Sequence, residues 1–465
     1  MTDHHVKPLT LERYNAFVAW TRSPIANAVG RELEFFSSHD ESLLGVVVLD
    51  RTDRDYGFVT LGRDGKGRFR AIDVNVSMSR TDARHSLLQS IKRHVESGTK
   101  VFEQGDEHQD KAGVDLFSPV VKPEKMHPTF EHVATSDFFV PARAILSEMM
   151  RHYEDVDGNF VEQFQTTGFD TRTWELYLYA ALLELGLFVE RPTPAPDFKV
   201  MKGGRQVFIE AVTVNPTGKV ELPKPTDPPK SFTTEELVKN LDSKFPIKFA
   251  SPLWSKLNRD KPYWELEHVV GHPLIFAIAD FQEKQSMMWT APALFRYLYG
   301  VSHEMSFDEN GNLVVSPLKA VETHTFEGKT IPSGFFRQAK SENVSAVLFS
   351  ATGTMSKFNR MGMLAGFGHP GQRLRRVGVR HRHEEDAVLP EPYEFEVIQG
   401  SVTETWAEGL ELFHNPNAAR PVDPAMFPGI AHHFFEDGVV KSVLPDFHPY
   451  FSVTFNSIEG ASDLG

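Results

Sequence analysis

The pair Gly203-Gly204 stands between two runs with strand character, 197–201 and 206–214, and constrains the fold of this 465-residue chain more than any other feature. Two successive glycines meet the positive φ angles of a two-residue hairpin loop at no steric cost. With those glycines as the loop, Lys202 pairs with Arg205 and the register sets Asp197 opposite Glu210. Opposed carboxylates on one sheet face repel by a few tenths to about 1 kcal/mol, so the pair calls for a positive group between them. An exposed hairpin would leave both acids solvated. Phe208, Ile209, Val212 and Val214 argue against that, because they make the second strand too apolar for both faces to be wet. Glu210 is therefore expected in a partly dry setting, where a carboxylate needs a partner.

The preceding segment predicts a helix over 170–185, capped by Asp170 or Thr171 and stopped by Gly186. Trp174, Leu176, Tyr177, Leu178, Tyr179, Ala181, Leu182, Leu183 and Leu185 make it apolar nearly all round, the mark of a helix buried between layers. Glu175 falls in its first turn and so points into protein or a cleft; taken alone, it is better accounted for as an acid that favours the positive helix N-terminus. A short strand at 188–191, the hairpin, a helix across 234–256 with break points at Pro246 and Pro252, and a strand at 273–281 complete the succession.

That order, with Trp174-Glu175-Leu176-Tyr177-Leu178 in the helix, Pro196-Asp197 at the second strand and Glu210-Ala211-Val212 in the third, resembles the core of the PD-(D/E)xK nuclease superfamily over about residues 165–282. The resemblance implies an α/β protein with a restriction-endonuclease-like mixed-sheet core flanked by helices. It implies an Mg²⁺ (or Mn²⁺) ion held by Asp197, Glu210 and the Ala211 carbonyl, with Glu175 holding a metal-bound water or a second ion. The activity implied is hydrolysis of phosphodiesters in nucleic acid, DNA before RNA, and a role in prokaryotic genome defence is compatible with it. Val212 stands where the superfamily places a lysine. Lys199, two residues from Asp197 on the same strand face and diagonal to Glu210, is the expected replacement, followed by Lys248 and Lys256 on the next helix. If none replaces it, the fold serves as a catalytically degenerate binding or scaffold module.

A formal charge of −14 argues against a protein that coats nucleic acid non-specifically. A local footprint is still available at 371–383, where Arg373, Arg375, Arg376, Arg380 and Arg382 are concentrated, beside the balancing acids Glu384, Glu385 and Asp386. The absence of cysteine rules out thiol catalysis, disulfides and cysteine-ligated zinc. No apolar stretch is long enough to span a membrane and the N-terminus lacks a secretory pattern, so a cytoplasmic location is expected. Association with a second copy or a protein partner remains open.

Three units are expected: an α+β domain over 1–130, the nuclease-like domain with its extensions over 137–360, and a loop-rich segment over 361–465 packed on the core. In the first, helical runs within 9–29 precede a meander with strands at 32–36, 43–49, 58–61 and 69–76, then a helix at 81–95; 118–136 reads as a linker. Prolines 216, 223, 225, 228 and 229 make 215–229 a stiff excursion. Gly366, Gly368 and Gly371 satisfy GxGxxG, but Pro370 denies them a helix-opening geometry. His381 and His383 with Glu385, joined by His432 and His433, offer a weaker metal reading, and HVVGH at 268–272 lacks the glutamate of a zinc protease motif.

Overall fold

The computed structural model describes residues 5–106, 114–156, 158–216, 218, 233–283, 286, 289–309, 313–384, 389–400 and 403–459. The prolines at 223–229 and most of the polar run at 103–113 lie outside these.

The N-terminal meander forms as its turns predict. Strands β1 (Val6–Pro8), β2 (Gly30–Ser38), β3 (Leu43–Asp50), β4 (Tyr56–Arg63) and β5 (Phe69–Met78) pair antiparallel in sequence order. In β3, Leu44 and Val46 pack with Tyr14, Phe17 and Val18 of the Leu11–Val18 helix, while Leu43 and Val47 pack with Ala83, Leu87 and Ile91 of the Arg80–Ser97 helix. Because strand side chains alternate, a strand covered on both faces must be apolar throughout its covered length, as β3 is from Leu43 to Leu49. The expected linker instead contains the Pro128–Thr135 helix, which buries Phe130 and Val133. Proline at its first position does not hinder a helix, since that N–H has no intrahelical partner.

The Phe169–Glu184 helix is buried on nearly every side. Its cap is Gly168 rather than Asp170 or Thr171, and Thr171 instead meets the Thr213 hydroxyl at 2.9 Å. After it come β6 (Phe188–Glu190), β7 (Phe198–Lys202) and β8 (Arg205–Val214), then the Thr234–Asp242 and Lys244–Leu257 helices and β9 (Leu274–Asp280). The break between those two helices falls at Ser243; Pro246 sits in a first turn and Pro252 is held inside the second helix. β6, β7 and β8 are antiparallel neighbours, and β8 and β9 are parallel. The Phe169–Glu184 helix reaches Ser350 through Tyr177, whereas Phe249 of the Lys244–Leu257 helix meets Phe349, so the two helices cover opposite faces of the sheet.

The sheet continues past β9. β10 (Ala346–Ser350) runs parallel to β9, followed by β11 (Leu410–His414), β12 (Ala431–Glu436) and β13 (Val439–Val443), giving eight strands in the order β13-β12-β11-β10-β9-β8-β7-β6. The molecule is thus mixed α/β. The loop-rich expectation for 361–465 is corrected here: that segment supplies three of the eight strands and a separate three-stranded sheet of Glu391–Glu396, Gln372–Arg380 and Pro449–Ile458. A boundary at 360 would cut the central sheet between β10 and β11. Short strands broken by Pro, Gly and His give little periodicity, and β11 finds its partner β10 about sixty residues back in the chain.

Candidate active site

The hairpin ladder pairs Lys202 with Arg205, Met201 with Gln206, Val200 with Val207, Lys199 with Phe208 and Phe198 with Ile209. Gly203 and Gly204 form the loop at φ 56° and 76°. The same register carried one residue further sets Asp197 across from Glu210, and the Ala211 N–H donates to Asp197 Oδ2 at 2.7 Å.

Glu210 is only 5% exposed. Its Oε1 accepts from the Tyr263 hydroxyl at 2.6 Å and from Lys256 Nζ at 2.5 Å, while Oε2 has no hydrogen-bond partner among the described residues. An unsatisfied buried carboxylate oxygen is costly and favours a cation or a donor at that point. Burial lifts the Asp197 carboxyl well above the usual carboxylate range, and the negative charges of Glu210 and Glu175 add to the rise; the Ala211 N–H and Lys256 oppose it. Both features suit a divalent ion held by Asp197 and Glu210.

Glu175, 2% exposed, is engaged differently. Arg172 Nη1 donates to both of its oxygens at 2.8 Å, with Arg191 Nη2 and the Tyr153 hydroxyl each at 3.4 Å. Burial raises its pKa and the two arginines pull it back. Arg191 also donates from Nε to the Asp197 carbonyl at 3.3 Å, which ties Glu175 to the hairpin. Glu175 is therefore near the opposed pair but not free to ligate as expected. The three carboxylates do not close on one point: among the described residues, the set of three His, Asp or Glu side chains whose ligand atoms all lie within 4.8 Å of one another is Asp50, Asp53 and Asp55, in the turn between β3 and β4. Asp53 of that set is exposed and the other two are half-buried, and exposed acidic groups are common without an ion.

The lysine expectation is corrected. Lys199 Nζ donates to Glu190 Oε2 at 2.8 Å, because β6 sets Glu190 directly opposite it, nearer than the diagonal Glu210. Lys256, in the last turn of its helix, is the lysine on Glu210. Lys248 lines a cleft with Thr213, Asn215 and Ser251.

The arginine concentration is corrected too. Arg376 is fully buried, 2.6 Å from Glu408 and 3.4 Å from Glu404. Arg373 pairs with Glu459, Arg375 with Glu394, Arg380 with Glu391 and Arg382 with Glu384. Alternation along the strand divides these residues between faces, and each meets a glutamate, so they do not form one unneutralised strip. Of the histidines, His381 and His383 have rings 4.6 Å apart, Glu385 lies outside the described residues, and consecutive His432 and His433 face opposite sides of β12.

Tyr153, Arg172, Arg191 and Tyr263 were not legible as site residues. Arg172 alone carried a signal, three positions before Glu175 on a helix; Tyr263 arrives from a distant 3-10 turn. Comparison with known proteins returns no matching family model, curated protein or solved structure. No helix among the described residues is long and apolar enough to cross a membrane.

Proposed function

We propose that the protein is a metal-dependent phosphodiester hydrolase acting on nucleic acid, with DNA the first substrate to test. The observation that carries this reading is the opposed pair Asp197 and Glu210, buried, with one carboxylate oxygen unpartnered and a lysine on the other. The order helix, three antiparallel strands, helices and parallel strand over 169–280 supports it, since it is the order the PD-(D/E)xK resemblance implies.

Asp197 and Glu210 would hold Mg²⁺ or Mn²⁺, which supplies Lewis-acid polarisation of a phosphodiester and a bound water of lowered pKa. Tyr263 fixes the Glu210 carboxylate by its hydroxyl, and the Ala211 N–H fixes Asp197. Lys256 keeps its side chain 34% exposed while contacting Glu210, so its ammonium can also meet a phosphate and offset developing charge. It offers the positive charge that Val212 does not. Arg172 and Arg191 hold Glu175 as a neutralised anion, and Arg191 links it to the Asp197 backbone.

The engagement of Glu175 by two arginines also favours a second reading, a binding module that keeps the fold without the chemistry. Supercoiled, linear and single-stranded DNA and RNA, each incubated with Mg²⁺ or Mn²⁺, separate the two. Cleavage by the wild type that is lost in Asp197→Ala supports the hydrolase; an ion-binding wild type that cuts none of them supports the module.

A further inference from the structure

A second cluster lies at the opposite side of the central sheet, and it shares no residue with the carboxylate site. Glu411 on β11 and His433 on the parallel β12 share a sheet face, and His448 reaches them from just before the Pro449–Ile458 strand. All three are buried, His448 to 1% exposure. We propose that Glu411, His433 and His448 form a binding site for a first-row transition ion, with Zn²⁺ the representative case.

Spacing is the first argument. His433 Nε2 lies 3.3 Å from Glu411 Oε2, and His448 Nε2 lies 3.7 Å from Glu411 Oε1. These separations exceed a good charge-assisted hydrogen bond of about 2.7–2.9 Å. Two ligands bound at about 2.0–2.1 Å to one tetrahedral ion stand about 3.3 Å apart. The His433 pair is therefore spaced as fellow ligands are, and the His448 pair stands a few tenths of an ångström wider.

Unmet bonding capacity is the second. His433 Nε2 and both ring nitrogens of His448 are buried with no hydrogen-bond partner among the described residues. His433 Nδ1 sits 2.8 Å from Ser442 Oγ. When Nδ1–H donates to that hydroxyl, Nε2 turns a lone pair toward the Glu411 carboxylate. In that tautomer two electron-rich groups face each other in a dry place, an arrangement a cation relieves. Imidazole with carboxylate is a donor set suited to zinc and its neighbours, less so to Mg²⁺, which keeps oxygen ligands and water.

The three ligand atoms do not yet meet within 4.8 Å of one another, since the histidines approach different oxygens of Glu411. Closing the site asks for a turn of the His448 ring, which breaks no hydrogen bond because that ring makes none. The backbone N–H of His381 donates to the His448 carbonyl at 2.8 Å, and the His381 ring stands beside exposed His383.

The test uses the full chain carrying Asp197→Ala, so that the carboxylate site contributes no ion, stripped with chelator and titrated with Co²⁺ and Zn²⁺. One equivalent of Co²⁺ should produce visible ligand-field bands that Zn²⁺ removes, together with a rise in melting temperature. Glu411→Gln and His448→Gln should abolish the bands, and Ser442→Ala should keep them with roughly tenfold weaker affinity. Should His448→Gln fail to fold by circular dichroism, His433→Gln serves in its place. Absence of the bands in the parent protein overturns the proposal. So does their persistence in the Glu411 and histidine variants, or their loss only in His381→Ala or His383→Ala, which would put the ion at the rim.

Discussion

The Ala211 amide donates to Asp197 Oδ2 at 2.7 Å, so the backbone just past Glu210 grips the acid that precedes β7. This bond joins the two ends of the hairpin ladder at the point where its regular pairing stops. Asp197 thereby keeps its place although its carboxyl is buried and faces the charges of Glu210 and Glu175.

Lys256→Ala is expected to reduce phosphodiester cleavage by about a hundredfold, as for removal of a positioned electrostatic group. Lys199→Ala should change it little, because Lys199 is paired with Glu190. Single-turnover assays at saturating Mg²⁺ decide between them, and equal rates for wild type and Lys256→Ala would remove Lys256 from the mechanism.

Mg²⁺ or Mn²⁺ should raise the melting temperature of the wild type and not of Asp197→Ala, since a ligand stabilises only the folded state that binds it. At a hundred times the dissociation constant the gain is about 2.7 kcal/mol. An equal shift in both proteins would move the ion elsewhere, with the Asp50, Asp53 and Asp55 cluster the next to substitute.

Asp197 should make a contribution to the stability of the metal-free protein that is lost as pH rises. Folding raises the Asp197 pKa, so the native state holds a proton that the unfolded state, with a pKa of about 3.9, releases. The stabilisation is complete below that value and is lost as pH rises through the folded pKa. Asp170, pushed up to about 6 by burial, and Glu175, Glu184 and Asp280, also raised by burial, contribute in the same direction. Chemical unfolding in chelator from pH 4 upward should therefore show that raising the pH costs Asp197→Asn less stability than it costs the wild type; identical pH dependence in the two would mean that Asp197 ionises freely.

Gly204→Ala should destabilise the fold by about 1 kcal/mol, because φ there is 76° and a β-carbon strains a left-handed backbone. Nothing lies within 4 Å of the added carbon, so the cost is conformational rather than a clash. The midpoint of urea unfolding measures it.

Local features decided the parts that were legible in advance. The Gly203-Gly204 loop and the period-two strands beside it set the register that opposes Asp197 and Glu210, because a two-residue loop leaves no freedom to slip. The all-round apolar helix and the N-terminal meander were readable for the same reason: turns and periodicity are written in neighbouring residues. Tertiary structure alone decided which cations meet those acids. Lys199 was nearest in the strand, yet Glu190 from β6 took it and Lys256 came to Glu210 from 46 residues away. The arginines at 373–382 were dense in sequence, yet four of them, Arg373, Arg375, Arg376 and Arg380, found a glutamate on another strand or turn, and only Arg382 met the neighbouring Glu384. Long charged side chains reach any partner that folding brings within a few ångströms, and strands such as β11, which joins β10 in a sheet begun more than 200 residues earlier, pair through contacts that no local pattern encodes.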